Sequence, residues 1–271
     1  MHLNDEPTTE PLLVTTSQIA RPEICAAAEA WAARLGGRYV PRDKRSLSRL
    51  CAREGVTGIL VVGADIVEYA VPGEGIVYFH HLGLAGMRLR NLEEGRGDPM
   101  VTAMGLGPGD HVLDCTLGRG VDAAVAAVVV GPEGRVVGLE VVPVLAALAE
   151  YGLPRIETPR RIAEAARRIE VRCVAYQPFL ASAEADSFDV VYFDPVFTEP
   201  VEGSTEMIPV RRLASKERLT AEAVAEARRV ARRRVVVKHN RSETLPEQLG
   251  VDAIIGGHHS RIGYAIIEAG H

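Results

Sequence analysis

The chain has 271 residues, of which 25% are charged and 47% are hydrophobic, and its formal net charge at pH 7 is −5. A chain of this length can form one or two domains with a sizeable core, and its composition excludes a mainly disordered, collagen-like or coiled-coil protein. The negative charge excludes a globally basic nucleic-acid-binding protein, although it is compatible with local patches of arginine.

Residues 1–95 are predicted to form a small α+β domain that begins with a flexible arm. The arm, residues 1–21, is polar and contains Pro7 and Pro11. After the arm, apolar residues at helical spacing are followed by short β-branched runs. The predicted elements are helices over 22–35 and 46–54, strands over 59–62, 66–71 and 75–79, and a helix over 82–93. The glycines and proline of residues 95–99 predict the domain boundary.

Residues 96–271 are predicted to form a second domain in which strands alternate with helices. The predicted strands cover 111–115, 135–140, 171–176, 188–194 and 234–238, and the predicted helices cover 120–130, a segment from about 143, 162–169 and 220–231. Segments 253–255 and 264–268 follow as a hairpin-like pair. Continuous apolar strands between helices are typical of a parallel sheet that is covered on both faces. The predicted fold class is therefore α/β.

A glycine-containing loop between the first strand and helix of this domain predicts a nucleotide site. Residues 114–123 read Asp-Cys-Thr-Leu-Gly-Arg-Gly-Val-Asp-Ala, with glycines at Gly118 and Gly120. Glycine lets the backbone approach a ligand, and the following helix offers unpaired N–H groups at its N-terminus. The spacing fits a dinucleotide fingerprint, which is a weak signal alone. Glu140 ends the next strand, where its carboxylate could accept hydrogen bonds from ribose hydroxyls.

Two features favour S-adenosylmethionine over NAD as the nucleotide. Asp114 precedes the glycines, where it could bind the positive amino group of the methionine moiety but would repel a pyrophosphate. The chain also builds no second nucleotide-binding half after the first three strands. Instead, the fourth strand ends in Asp194-Pro195-Val196-Phe197, at the sheet edge where ligands bind in open α/β folds.

These residues resemble class I S-adenosylmethionine-dependent methyltransferases, and especially the bacterial small-subunit ribosomal RNA guanine-N2 methyltransferase J family with its Gram-positive relatives. The shared patterns are Asp-x-Thr-x-Gly-x-Gly-x-Asp at 114–122, Gly-Leu-Glu at 138–140 and Asp-Pro-x-Phe at 194–197. The resemblance covers about residues 80–240. It implies a Rossmann-like sheet that is mostly parallel, with an antiparallel last strand, and S-adenosylmethionine as the cofactor. The chain departs from the wider pattern at Thr116, often glycine, and at Val196, often proline.

The predicted site residues follow from these patterns. The expected cofactor contacts are Asp114, Thr116, Gly118, Gly120, Val121, Asp122, Glu140, Val141, Tyr176, Gln177 and Asp194. In catalysis, Asp194 and a carbonyl near Pro195 are expected to accept hydrogen bonds from an exocyclic amine, which turns its lone pair toward the methyl group. Phe197 is expected to stack on the target base after that base has left the RNA stack. Arg88, Arg96 and Lys238 are candidate contacts to RNA phosphates, with a solvated surface as the alternative.

The remaining composition predicts a cytoplasmic protein without a metal site. The cysteines, Cys25, Cys51, Cys115 and Cys173, form no Cys-x-x-Cys pair, which favours reduced thiols. The histidine pairs 80–81 and 258–259 are adjacent in sequence, so their side chains point in different directions and make poor metal ligands. No apolar run is long enough for a membrane helix, and the first residues lack the apolar segment of a secretory signal.

The predicted function is methylation of a guanine amine in ribosomal RNA, with the small ribosomal subunit as partner. The acidic charge and the 5% aromatic content favour an alternative, a methyltransferase for a small molecule or a protein side chain. A non-catalytic nucleotide-binding module is a further alternative, and an NAD-dependent oxidoreductase is the most distant one.

Overall fold

The computed structural model describes residues 12–157, 159–195, 219–242, 245, 247–256 and 260–270. The chain divides into two compact units, residues 1–80 and 81–271. The division precedes the predicted boundary near residue 95, because Ala85 and Leu89 of the intervening helix lie in the hydrophobic core of the second unit. Within the described residues, no helix is both long and apolar enough to cross a membrane.

The described part of the first unit is a five-stranded sheet with two helices. Its elements are β1 (Leu13–Thr16), α1 (Pro22–Arg34), β2 (Arg38–Tyr39), α2 (Leu47–Glu54), β3 (Ile59–Val62), β4 (Val67–Val71) and β5 (Ile76–Phe79). The strand order is β2-β1-β3-β4-β5, in which β1 runs parallel to both of its neighbours. Strands β4 and β5 continue the sheet in antiparallel fashion.

The predicted flexible arm is wrong for residues 13–16, which form an inner strand of this sheet. Leu13 and Val14 are fully buried, and β1 pairs with β2 on one side and β3 on the other. The apolar run, residues 12–14, is too short to show a period of its own, and polar residues follow it along the chain. Strand β2 has only two residues, so no pattern marked it either. Residues 1–11 lie outside the described residues.

The second unit is built on a seven-stranded sheet. Its elements are α3 (Ala85–Glu93), α4 (Pro99–Met104), β6 (His111–Asp114), α5 (Val121–Val130), β7 (Arg135–Glu140), α6 (Pro143–Gly152), α7 (Arg160–Ala166), β8 (Ile169–Cys173), α8 (Tyr176–Ser182), β9 (Phe188–Phe193), α9 (Ala221–Val230), β10 (Ala231–Asn240), β11 (Ala253–Ile255) and β12 (Ile262–Glu268). The strand order is β11-β12-β10-β9-β6-β7-β8.

The fold class predicted for this unit is confirmed. Strands β6 to β10 are parallel, whereas β12 runs antiparallel to both β10 and β11. The central parts of β6, β7, β9 and β10 are apolar because both faces of the sheet are covered there. Val112, Tyr192 and Val236 point to a core shared with α3, α4, α5 and α7, and Leu113 and Val191 point to a core shared with α8 and α9. The sheet therefore presents one edge of strand carboxyl ends to a ligand.

Helix α4 was not predicted, because its start was interpreted as a boundary loop. Asp98 caps this helix by accepting hydrogen bonds from the backbone N–H groups of Met100 and Val101 at 3.0 and 3.1 Å. Pro99 occupies the first helical position, where its missing N–H costs nothing. The Asp-Pro pair thus marks a helix start, which the adjacent glycines obscured.

The start and the end of β8 differ from the predicted strand borders. The helix expected over 162–169 ends at Ala166, and Ile169 already begins β8. Tyr176, expected at the end of the strand, begins α8 instead. This displacement moves Tyr176 and Gln177 from a strand end to the first turn of a helix.

Candidate functional site

The carboxyl edge of the seven-stranded sheet collects the predicted site. Strand β6 ends at Asp114, β7 ends at Glu140, and Asp194 follows β9 directly. Strand β6 lies between β7 and β9, so the chain leaves it toward one side and later returns on the other. Ligands of open α/β sheets bind at such a topological switch point. The parallel register thus gathers three carboxylates that are far apart in the chain.

The loop from β6 to α5 is held by both neighbouring carboxylates. Asp114 Oδ1 accepts a hydrogen bond from the N–H of Thr116 at 3.0 Å, and Glu140 Oε2 accepts one from the N–H of Gly118 at 3.1 Å. Gly118 and Gly120 have φ values of 51° and 72°, a region that favours glycine. The two glycines are therefore required by the turn itself.

Leu117, inside this loop, packs onto a glycine of the next strand. A Cβ placed on Gly138 would lie 2.5 Å from Cδ1 of Leu117. The N–H of Leu117 also donates to the carbonyl of Leu139 at 2.8 Å, and the leucine side chain is buried. In the sequence, Gly138 is only part of the Gly-Leu-Glu motif. The structure adds that it makes room for the loop.

Gly138→Ala is expected to destabilise the protein by about 1–3 kcal/mol, the usual cost of an overpacked core. Denaturant unfolding, followed by circular dichroism, measures this loss. Gly107→Ala is the matched control, because no atom lies within 4 Å of a Cβ at that position. Equal unfolding midpoints for the two variants would contradict the packing argument.

Two buried carboxyl groups at this edge have no cationic partner among the described residues. Asp114 is 2% exposed and Glu140 is 8% exposed. Burial raises the pKa of Asp114 to about 8, with further contributions from the charges of Asp122 and Asp194. Burial likewise raises the pKa of Glu140, although backbone N–H donors, including that of Val142, oppose the shift. Such a pair complements a ligand that brings a positive group and hydroxyls.

Asp194 is held at the edge by two contacts. Its backbone N–H donates to the Thr116 hydroxyl at 2.6 Å, and its Oδ2 accepts a hydrogen bond from Lys238 Nζ at 2.7 Å. Burial raises the pKa of Asp194, whereas the positive charge of Lys238 lowers it. Thr116, where many methyltransferases have glycine, therefore joins the first loop to the end of β9.

Asp122, predicted as a cofactor contact, has a different role in the structure. Its Oδ2 accepts hydrogen bonds from Lys238 Nζ at 3.0 Å and from the Tyr192 hydroxyl at 2.8 Å, and its Oδ1 pairs with Arg88. The charges of Lys238 and Arg88 hold the pKa of Asp122 well below its usual range. The carboxylate is thus an internal counter-ion of these two cations.

Arg88, a candidate phosphate contact, forms internal ion pairs in the structure. Its guanidinium binds Asp98 through Nε at 2.7 Å and Nη2 at 2.9 Å, and it also pairs with Asp122. The side chain is 15% exposed, and these carboxylates occupy its donors. Arg96 differs, because it is exposed and bonds only to neighbours along the chain, Asn91 and Glu94, among the described residues.

The other predicted cofactor residues also lie at the carboxyl edge. Val121 begins α5 after Gly120, and the half-exposed Val141 follows Glu140. Tyr176 packs edge-on against Phe193, with 5.3 Å between the ring centroids, and the exposed Gln177 follows it. Pro195 follows Asp194 and is half-buried. Phe197 lies outside the described residues, so its predicted stacking stays a prediction.

Two polar residues of this site, Asp98 and Tyr192, were not predicted from the sequence. Asp98 precedes a proline and an apolar helix, which is a capping signal. Tyr192 carries a hydroxyl inside an apolar strand, and buried tyrosines normally find a partner for that group. Among the described residues, no cluster of three or more His, Cys, Asp or Glu could hold a metal ion.

Comparison with known proteins agrees with this geometry. A family described as "Putative SAM-dependent methyltransferase" matches residues 55–263. The chain is 35% identical over 243 residues to the uncharacterised protein YpiP of Bacillus subtilis, covering 89% of this chain and 94% of that protein. It is 31% identical over 219 residues to the ribosomal RNA small subunit methyltransferase J of Chromobacterium violaceum, covering 78% of this chain and 84% of that one.

A solved structure shows the same fold over nearly the whole chain. The crystal structure of the SAM-dependent methyltransferase NGO1261 from Neisseria gonorrhoeae superposes with a TM-score of 0.62 at 18% sequence identity. The match covers 95% of this chain and 96% of that protein.

Proposed function

The chain belongs to the family of S-adenosylmethionine-dependent methyltransferases, and we propose that it methylates the exocyclic N2 amine of a guanine in ribosomal RNA. S-adenosylmethionine is accordingly its cofactor. The observation that carries the proposal is the position of Asp194. Its carboxylate is fixed at the carboxyl edge of the sheet, beside the two buried carboxyl groups that suit this cofactor.

Asp114 and Glu140 are the residues that would hold the cofactor. The ionised carboxylate of Asp114 would accept hydrogen bonds from the amino group, and Glu140 would accept them from the ribose hydroxyls. Neither carboxylate forms an ion pair within the described part of the chain, so a cationic, hydroxyl-bearing ligand fits them. Gly118 and Gly120 would let the backbone approach, and the Gln177 amide would bind the adenine.

Cofactor binding is expected to release a proton from Asp114. With a pKa of about 8 this carboxyl is mostly protonated at pH 7 in the free protein, and an adjacent ammonium group favours its ionised form. Close to one proton should therefore leave at pH 7, and affinity should rise with pH up to about 8.

Calorimetric titrations in buffers of different ionisation enthalpy count this proton. The matched variant is Asp114→Asn, which keeps the shape and has no proton to lose, so it also corrects for protons from the cofactor itself. The same proton count in both proteins would refute the assignment of Asp114.

Asp194 would act on the substrate amine. The amine of guanine is a poor nucleophile, because its lone pair is delocalised into the ring. When bound, S-adenosylmethionine supplies the activated methyl group. Oδ1 of Asp194 receives no hydrogen bond from the described residues and is available to accept one from the amine, with a carbonyl near Pro195 accepting a second. These bonds would turn the lone pair toward the methyl group and hold the amine in line, which can contribute about 7–11 kcal/mol.

The names of the relatives support ribosomal RNA as the substrate. Several proteins about 30% identical to this chain are named ribosomal RNA small subunit methyltransferase J. We therefore propose the small ribosomal subunit, or its RNA, as partner and the cytoplasm as the place of action. Arg96, which is exposed, remains a candidate contact to RNA phosphate.

Labelled cofactor and small subunits from a strain that lacks this gene test the proposal. We expect label in the RNA, and nuclease digestion with mass spectrometry should identify N2-methylguanine. Subunits from the parent strain are the control, because their target is already methylated. Label in protein or in a metabolite pool would favour the alternative substrates. Cofactor binding without turnover on any of these pools would favour a non-catalytic module.

A further inference from the structure

A row of alternating charges runs through the second unit and ends at the proposed catalytic carboxylate. Its members, in spatial order, are Asp98, Arg88, Asp122, Lys238 and Asp194. Arg88 lies 2.7 Å from Asp98 and also pairs with Asp122, and Lys238 lies 3.0 Å from Asp122 and 2.7 Å from Asp194. Each cation thus stands between two carboxylates.

One end of the row is anchored in the protein interior. Asp98 is 5% exposed and caps α4 through two backbone N–H groups, so its carboxylate is fixed by the fold. The other end, Asp194, is the most exposed of the five at 29%. The row therefore connects a rigid helix cap with the site edge.

Lys238 reaches this row because of the pleat of β10. It stands two residues after Val236, on the face whose core includes α5, and opposite Tyr264 of β12. Its side chain is 19% exposed, and its ammonium donates to two carboxylates. A lysine that is already paired twice is poorly suited to bind an RNA phosphate.

We propose that Lys238 is a positioning residue of the reaction, which fixes the carboxylate of Asp194 and is itself fixed by Asp122. The proposal rests on the proposed function for its catalytic meaning, and on the geometry alone for the contact. Lys238 occupies Oδ2 of Asp194 and leaves Oδ1 for the substrate amine. Asp122, held in turn by Arg88 and Tyr192, keeps the ammonium in place.

The charge of Lys238 also lowers the pKa of Asp194, against the effect of burial. The titratable groups around this pair, among the described residues, are Asp122 on α5, Asp114 on β6, Arg88 on α3, Tyr192 on β9 and Tyr264 on β12. Burial and the charge of Asp122 raise the pKa of Asp194, and Lys238 is the main group that lowers it. Without this ammonium, Asp194 would hold a proton at higher pH and would lose the charge that stabilises the amine as positive charge grows on nitrogen.

Lys238→Met is the central variant, because it removes the charge and keeps much of the length. We expect kcat to fall about 10–150-fold, as for the loss of one charged hydrogen bond, with KM for the ribosomal substrate within about threefold. The acid limb of the kcat–pH profile should move to higher pH. Lys238→Arg should restore part of kcat and the original acid limb, since it returns the charge.

The control variant is Arg135→Met, which removes a cation from an exposed ion pair with Glu170 at the opposite edge of the sheet. Its kcat and pH profile should match those of the wild type. Cofactor affinity, measured by calorimetry, reports whether each variant is folded. If Lys238→Met does not fold, Lys238→Gln serves in its place, because glutamine keeps a donor without the charge.

A second measurement separates this inference from the proposed function. Carbon-13 NMR of aspartate-labelled protein follows the Asp194 carboxyl without any substrate, with Asp194→Asn to assign the signal. The pKa of Asp194 should rise in Lys238→Met, because the charge that lowers it is gone. An unchanged Asp194 titration would overturn the inference, whether or not the protein methylates RNA. A raised pKa in a protein inactive on RNA would uphold the contact and reject the proposed function.

Two kinetic outcomes also overturn the inference. In the first, Lys238→Met leaves kcat unchanged but raises KM, and the salt dependence of RNA binding weakens by about one ion. This result would make Lys238 a phosphate contact. The other is a lowered kcat with an unmoved acid limb and no rescue by arginine, which would make its role structural only.

Discussion

Asp194→Asn is expected to lower kcat by about 10²–10³-fold, the range for loss of one preorganised electrostatic group. Asparagine keeps the shape of the side chain and the backbone N–H bond to Thr116. It removes the negative charge that would stabilise the amine as positive charge develops on nitrogen. Because this charge matters most in the transition state, KM for the RNA substrate should change much less than kcat.

Steady-state kinetics with small ribosomal subunits measure this effect, with cofactor affinity determined on the same variant. Asp189→Asn is the matched control, since Asp189 lies on the same strand but binds the N–H of His111 and Arg232 at the amino end of the sheet. A near-normal kcat for Asp194→Asn would remove this residue from the mechanism. A loss of cofactor affinity alone would make it a cofactor contact.

Glu140→Ala is expected to raise the Kd for S-adenosylmethionine about 10–150-fold. Charged hydrogen bonds contribute about 1.5–3 kcal/mol each, and the ribose would lose its charged acceptor. The same substitution also releases the N–H groups of Gly118 and Val142, which Glu140 holds now. Glu140→Gln keeps acceptor oxygen without the charge, so its Kd should lie between those of wild type and alanine.

Calorimetric titration of the cofactor measures both variants, and kcat at saturating cofactor should stay within a few fold of the wild type. Glu170→Ala is the control, because this exposed carboxylate of the neighbouring strand β8 pairs with Arg135 and Arg172. An unchanged Kd in Glu140→Ala would mean that the ribose does not bind at the end of β7.

The order of elements in the second unit was predictable because buried parallel strands have a clear sequence pattern. Strands covered on both faces are continuous apolar runs, and the segments before Asp114, Glu140 and Asp194 are of this kind. The same runs end at the ligand edge of such a sheet, so three carboxylates of the candidate site could be placed from sequence. The hairpin at the end of the sheet was predicted from two short apolar runs, and its antiparallel last strand from the family resemblance.

Strand β1 and helix α4 were not predictable, because the sequence signal of each is short or is obscured by its neighbours. Strand β1 has only four residues, and only its pairing with β2 and β3 makes it an inner strand. Asp98 and Pro99 carried a helix-start signal, but the surrounding glycines favoured a loop. In both cases tertiary contacts outweigh the local pattern.

Local patterns of apolarity and turn residues are thus enough for the fold class, the strand ends and the glycine loop, because burial and backbone geometry act over a few residues. The pairing of charges is different. Asp122 meets Arg88, 34 residues away, and Lys238, 116 residues away, because α3 and α5 pack on the face of the sheet on which Lys238 of β10 lies. Spacing along the chain carries no information about such partners. Only the packed structure shows that Arg88 and Lys238, predicted as candidate phosphate contacts, neutralise Asp122, because a buried charge is stable only when the fold supplies its counter-ion.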